Sequence, residues 1–307
     1  MLHSETRGYK GRGRFVLRRR AGGRPFELGN TVSLNEAIET NREGRADYEN
    51  VAGGEKDVDE QVTQYTFEAV VNDISPRNLA MALRGTVMDV DAALVDDEVL
   101  DAWAGTRLAF RYLPDPDEAV TVAIAASTTW AAETAFVAGA TIIEGSNAYR
   151  ADTAGTSGAV EPTWPTDGTP ISDGTVTWQD LGPIALTADT HYERIPHGIR
   201  TLPAADALFL GELPLPLDVT YTRNPQSLVQ ALMAAGDEYE ITWLGLNPVD
   251  GGHPITARYF RVKFSPTSGL PRQGGDGFAE LSLSGTVLAD ETRTGAGLSK
   301  HVETSMI

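Results

Sequence analysis

The strongest constraint on how this chain folds lies at residues 61–87, where a strand-like alternation runs directly into a capped helix. Thr63, Tyr65, Phe67, Ala69 and Val71 hold the odd positions, and Gln64, Thr66, Glu68 and Asn72 make the even ones mainly polar. A period of two puts every second side chain on one face, so residues 63–71 predict a half-buried strand. Ser75 and Pro76 then supply an N-cap and a first-turn proline, Leu79, Ala80 and Leu83 share a helical face, and Gly85 marks the stop. So short a helix is unstable alone in water and must pack on a sheet.

At 307 residues the chain has room for one large β domain or two smaller ones. It has no cysteine, which excludes disulfides, thiolate metal sites and cysteine nucleophiles. No run of eighteen apolar residues occurs and the start does not resemble a signal peptide, so a soluble protein folded in a cytoplasm is expected. The net charge of −18 is uneven. Arg7, Lys10, Arg12, Arg14, Arg18, Arg19, Arg20 and Arg24 against Glu5 make residues 1–24 a +7 arm, leaving −25 on the rest. A basic arm can bind nucleic acid, but a body this acidic repels it. The favoured reading is that the arm meets an acidic surface, on this subunit or on a neighbour.

Along the chain, residues 13–20 and 24–34 read as strands. Residues 36–60 are polar and charged, a long loop or an extended hairpin, favoured as a projection that orders against a partner. Residues 89–101 carry Asp89, Asp91, Asp96, Asp97, Glu98 and Asp101, with Asp115, Asp117 and Glu118 beyond. No nucleophile, histidine or phosphate-cradling loop lies near them, so they read as an acidic surface rather than a carboxylate active site. Residues 107–112 alternate as a strand. Residues 121–182 then turn rich in Ala, Thr, Gly and Ser, with Trp130, Trp164 and Trp178, which marks a small β module. Strands follow at 192–199, 208–210, 217–222, 239–246, 259–264 and 278–288, with a short helix at 228–235 closed by Gly236.

Chemical signatures are sparse. His191 and His197, six apart on a strand, would lie roughly 20 Å apart at the ordinary rise unless Pro196 turns the chain. Residues 274–277, Gly-Gly-Asp-Gly, lack the alternating ligands of a calcium loop and the lysine of a phosphate loop, and read as a hairpin turn. No nucleophile elbow or preferred Ser-His-Asp set occurs, so no enzyme and no cofactor is expected. Tyr149, Trp164 and Trp178 could stack on sugar rings, although a module this small needs its aromatics inside.

The order of segments resembles that of the tail tube (major tail) proteins of long-tailed bacteriophages. The match rests on the strand ending in an acidic turn, then Ser75-Pro76-Arg77-Asn78-Leu79-Ala80-Met81-Ala82-Leu83 and Gly85. It continues through residues 192–222, with Asp218-Val219-Thr220-Tyr221-Thr222, and the closing stretches 261–266 and 277–288. It covers everything outside the insertion. Residues 149–158, 161–165 and 173–178 resemble a small module that recurs in assorted phage virion proteins.

The resemblance implies a mainly β, tail-tube-like sandwich or barrel with a short flanking helix and an inserted β module. Its expected organisation is a basic arm and first strand at 1–24, a tube domain at 25–127 and 183–307, and a surface module at 128–182. It implies homohexameric rings stacked into a tube, contacts with tape measure, tail-terminator and tail-tip proteins, transient passage of DNA without specific binding, and no membrane. The protein would assemble in the host cytoplasm and reside in the virion. Glu36, Arg42, Arg45, Asp47, Glu55, Lys56 and Asp57 would belong to a ring-stacking loop, and Gln64, Thr66 and Glu68 would face the lumen. The rival is a carbohydrate- or receptor-binding adhesin acting through the inserted module.

Overall fold

The computed structural model describes residues 8–49, 51–273 and 277–306. His3, Glu5 and Arg7 of the basic arm, and the turn at 274–276, lie outside them. The fold is mainly β, built from antiparallel strand pairs, with one α-helix and two short 3-10 turns among the described residues. The chain forms two compact units, one of Met1–Met88 with Ser227–Ile307 and one of Asp89–Gln226. Residues 89–127 and 183–226, which composition groups with the outer segments, thus share a unit with the insertion.

The first unit is built on one curled sheet. Its strands are β1 (Arg12–Arg19), β2 (Thr31–Ala46), β3 (Glu55–Val71), β4 (Glu238–Asn247), β5 (His253–Phe264), β6 (Leu281–Val287) and β7 (Val302–Met306). A two-residue strand, Phe26–Glu27, precedes β1 in the sheet order, and β4, β5, β6, β3 and β2 follow it; β7 pairs with β5. The alternation read at 63–71 is realised, with Phe67, Ala69 and Val71 buried, and Leu281, Leu283 and Val287 repeat it on β6. Four strand spacings separate β1 from β3, roughly 19 Å in a flat sheet. Phe15 on β1 nevertheless meets Phe67 on β3 edge to face, ring centroids 6.4 Å apart. The sheet must therefore curl around its core, although the described strands form no closed barrel.

Helix α1 (Pro76–Ala82) starts as read: the Ser75 side chain accepts from the Asn78 N–H. Its core face differs. Asn78, Ala80, Met81 and Ala82 are buried, whereas Leu79 and Leu83 are only half so. Asn78 sits inside because its amide donates to the Leu28 and Asp73 carbonyls, at 2.8 and 2.9 Å. The stop also moves by one residue. Arg84 takes the left-handed conformation (φ 46°), Gly85 N–H donates to Ala80 at 2.7 Å and Arg84 N–H to Met81 at 3.3 Å, the paired bonds of a Schellman close. Gly85 is required for a different reason: a Cβ there would lie 2.2 Å from the Gln230 carbonyl oxygen.

The helix expected at 228–235 is absent. Gln226–Gln230 is a strand paired with Thr86–Val90, and the N–H groups of Leu232 and Ala234 donate to Leu83 and Arg84. Non-local backbone partners thus replace the i→i−4 bonds an eight-residue helix could make.

In the second unit, Ala185–Leu186, Val120–Ile124, Leu215–Arg223 and Ala93–Ala102 form a four-stranded sheet in that order. Leu217, Val219 and Tyr221 are buried on one face, as their alternation predicts. The strand read at 192–199 is a hairpin, Tyr192–Ile195 against Gly198–Thr201, and 203–208 is a 3-10 turn that runs into the segment read as a strand at 208–210. A second four-stranded sheet, Thr141–Glu144, Asn147–Thr153, Val176–Pro183 and Pro170–Asp173, falls within 128–182 but for its Pro183 end and has a core cluster of its own.

Candidate assembly surface

The most conspicuous surface feature is the β2–β3 hairpin. Its register runs from Thr31 opposite Val71 to Ala46 opposite Glu55. Residues 35–46 and 55–64 are exposed at every position, so both faces of the ribbon are uncovered. The ten residues of 37–46 extend about 33 Å at the strand rise. A two-stranded ribbon of this length is marginal in water on its own, and among the described strands none pairs with the outer edge of β2. Among its apolar side chains Ile38 is 60 % and Val62 67 % exposed, and Tyr48 near the tip is 94 % exposed.

The polar composition of 36–60 is that of a solvated hairpin, the second of the two readings of that stretch. Arg42 bonds Glu55 across the ribbon, Lys56 bonds Glu49 at 2.7 Å, and Asp47 accepts from the Glu49 N–H at 2.9 Å. Asp57 accepts from Val58 N–H at 2.9 Å, and Arg45 stands opposite Asp57 in the register. Glu36 lies at the base rather than at the tip. The hydroxyls of Tyr65 and Tyr259 donate to its two carboxylate oxygens, clamping β2 to β3 and β5. Burial first, and the Glu36 carboxylate second, push both hydroxyls above the ordinary tyrosine pKa. Sequence spacing gave no sign of Tyr259, which is 223 residues from Glu36.

Gln64, Thr66 and Glu68 point away from the core on β3. Ser282 donates to Glu68 at 3.1 Å, and Ser284 and Thr286 of β6 stand opposite Glu68 and Thr66. This face is therefore a band of hydroxyls and carboxylates. The acidic run at 89–101 is also largely exposed: Asp89, Asp91, Asp96, Asp97 and Asp101 all face solvent. Asp218 beside it has its carboxyl raised by burial and by the neighbouring Asp97 and Asp96 charges.

The basic segment finds acids within its own subunit. Arg14 pairs with Glu27 (3.3 Å), Arg18 with Glu240 (2.6 Å), Arg19 with Asp237 (2.9 Å) and Arg20 with Asp290 (2.9 Å). Only the last is well shielded. Its guanidinium and the Thr292 hydroxyl hold the Asp290 carboxyl down at about 2.

The module aromatics pack against one another around a single core. Tyr149 and Trp178 are fully buried, and Trp164 packs on both with centroids 4.7 and 5.9 Å away. The Tyr149 hydroxyl donates to the Pro165 carbonyl, and the Trp130 and Trp178 N–H groups converge on Asp173. Tyr149 and Trp178 therefore present no face to a sugar, whereas Trp164 and Trp130 are only partly buried. His191 and His197 stand at opposite ends of the Tyr192–Thr201 hairpin, so its turn does not bring them together. His191 Nδ1 accepts from Thr187 N–H at 3.0 Å.

These features define a β protein whose largest uncovered element is a projecting ribbon with an open strand edge. A family model described as "Protein of unknown function UCP028589" matches residues 8–146 and 136–305, and the chain belongs to that family. No curated protein matches the chain.

Proposed function

We propose that this protein is a structural virion subunit that self-assembles into stacked hexameric rings, the tail tube through which phage DNA is ejected. The observation that carries the reading is the β2–β3 hairpin, exposed along both faces with Ile38, Val58, Val62 and Tyr48 in solvent. Such a ribbon gains stability only when another surface covers it, and a second copy is the partner that the segment resemblance to tail tube proteins implies. On this reading the acidic residues would repel DNA and let it slide without sticking. The protein would act without catalysis or cofactor, in contact with tape measure and tail-end proteins. Negative-stain microscopy of the purified chain tests it. Six-fold rings or tubes are expected; a monodisperse monomer at high protein concentration sinks the proposal.

A further inference from the structure

The first unit contains a cavity of about 610 Å³ whose charge is opposite to that of the chain as a whole. Arg19, Arg24, Arg77 and Arg84 line it, with Asp237 as the one carboxylate among the lining residues, a net +3. Arg19 is neutralised by Asp237 at 2.9 Å. The other three have no carboxylate on that lining. Arg77 lies over the Phe26 ring, 4.5 Å from its centroid, a cation–π contact.

Arg84 is the most telling of them. It occupies the left-handed position that ends α1, where glycine is the cheaper residue. Its Nε is buried with no hydrogen-bond partner, while Nη2 reaches the Phe264 carbonyl only at 3.4 Å. A buried guanidinium donor without an acceptor is costly, and like charges gathered in one cavity repel. The repulsion is relieved by an incoming oxyanion, which guanidinium groups hold bidentately.

We infer that this arginine-lined cavity is a socket for carboxylate side chains of a second copy of this chain. Charge complementarity selects the occupant: Arg14, Arg18, Arg19 and Arg20 already have acids within the subunit, whereas the chain beyond residue 24 carries −25. Every copy therefore offers surplus carboxylates and one concentrated cationic cavity. The inference rests on the self-assembly proposed above and adds where one contact is made.

Lysine at the cavity converts the contact into a covalent record. The chain has lysine only at Lys10, Lys56, Lys263 and Lys300, so the background is low. Arg24→Lys and Arg77→Lys, both at exposed positions, are made in the full chain as equal mixtures of ¹⁵N-labelled and unlabelled protein. A water-soluble carbodiimide then joins amine to carboxylate. Mixed-label peptide pairs linking position 24 or 77 to an Asp or Glu are the expected result, with assembly by sedimentation at least tenfold weaker in an Arg24→Glu, Arg77→Glu variant. Assembled wild-type chain whose lysine variants give no mixed-label link overturns the socket and leaves self-assembly standing. A wild-type chain that stays monomeric overturns both. Stabilisation of dilute monomer by millimolar inorganic phosphate, lost in the Glu variant and without a cross-copy link, assigns the cavity to a free oxyanion and also overturns the proposal.

Discussion

At the scale of single residues, two positions carry consequences out of proportion to their size. Asp290 is almost fully buried and paired with Arg20. Its folded pKa, about 2, lies below the ordinary 3.8 of an aspartate, so the folded state binds that proton less readily than the unfolded chain does. The stability it contributes is complete above about pH 4 and is lost as the pH falls through about 2. Urea unfolding of wild type between those limits should show a falling free energy, and Asp290→Asn should flatten that slope. At neutral pH the same substitution should cost about 1–3 kcal/mol, because it removes charge-assisted bonds from a shielded guanidinium. Gly85 is the second. A methyl at its Cα would collide with the Gln230 carbonyl, and Gly85→Ala should cost about 1–3 kcal/mol by denaturant titration. Neither role could be read from sequence. Gly85 looks like a helix stop, yet Arg84 holds the left-handed turn, and Asp290 is paired with a residue 270 positions away.

At the scale of elements, local pattern was legible wherever one face of a strand was buried. The alternations at 63–71 and 217–222 appear as strands with the expected faces inward, Thr63 excepted, the one read at 278–288 is a strand over 281–287, and Ser75-Pro76 starts the helix as its chemistry dictates. Where pattern failed, long-range pairing had intervened: residues 228–235, read as a helix, are too few for a stable one, and 226–230 took a strand partner at 86–90 instead. The hairpin was legible only as a choice between loop and ribbon, since a strand exposed on both faces has no hydrophobic period to display. Two predictions belong here. Replacing residues 41–61 by a two-residue Asn-Gly turn between the paired Thr40 and Val62 should leave the unfolding temperature of the first unit within a few degrees of wild type and abolish sedimentation above monomer. Glu36→Gln should weaken the tyrosine clamp, and hydrogen exchange at amides 37–46 should quicken several-fold while those of β4 and β5 stay protected.

At the scale of the whole molecule, composition sets residues 121–182 apart, whereas the structure divides the chain at 88/89 and 226/227. The module is legible because its aromatics stand alone among small residues. The larger boundary is not, because the strands on either side of it share one composition and differ only in partners. The second unit is a single continuous segment with two cores of its own. Residues 89–226 produced alone should therefore unfold cooperatively, with the buried Trp178 reporting through a fluorescence shift. Trp178→Ala should cost about 3–5 kcal/mol in that fragment.

The same division governs the order in which the protein can be completed on the ribosome. Arg14 on β1 stands opposite Leu244 on β4, and the whole of the second unit is synthesised between them. β1, beside Phe26–Glu27, and the β2–β3 hairpin form separate early pieces, and the strands that join them, β4, β5 and β6, arrive only after 138 residues of another unit have passed. The unit that begins first finishes last. The nascent chain thus delays the curled sheet until its last strands arrive, and with it the arginine-lined cavity, whose wall Asp237, Tyr239 and Phe264 complete.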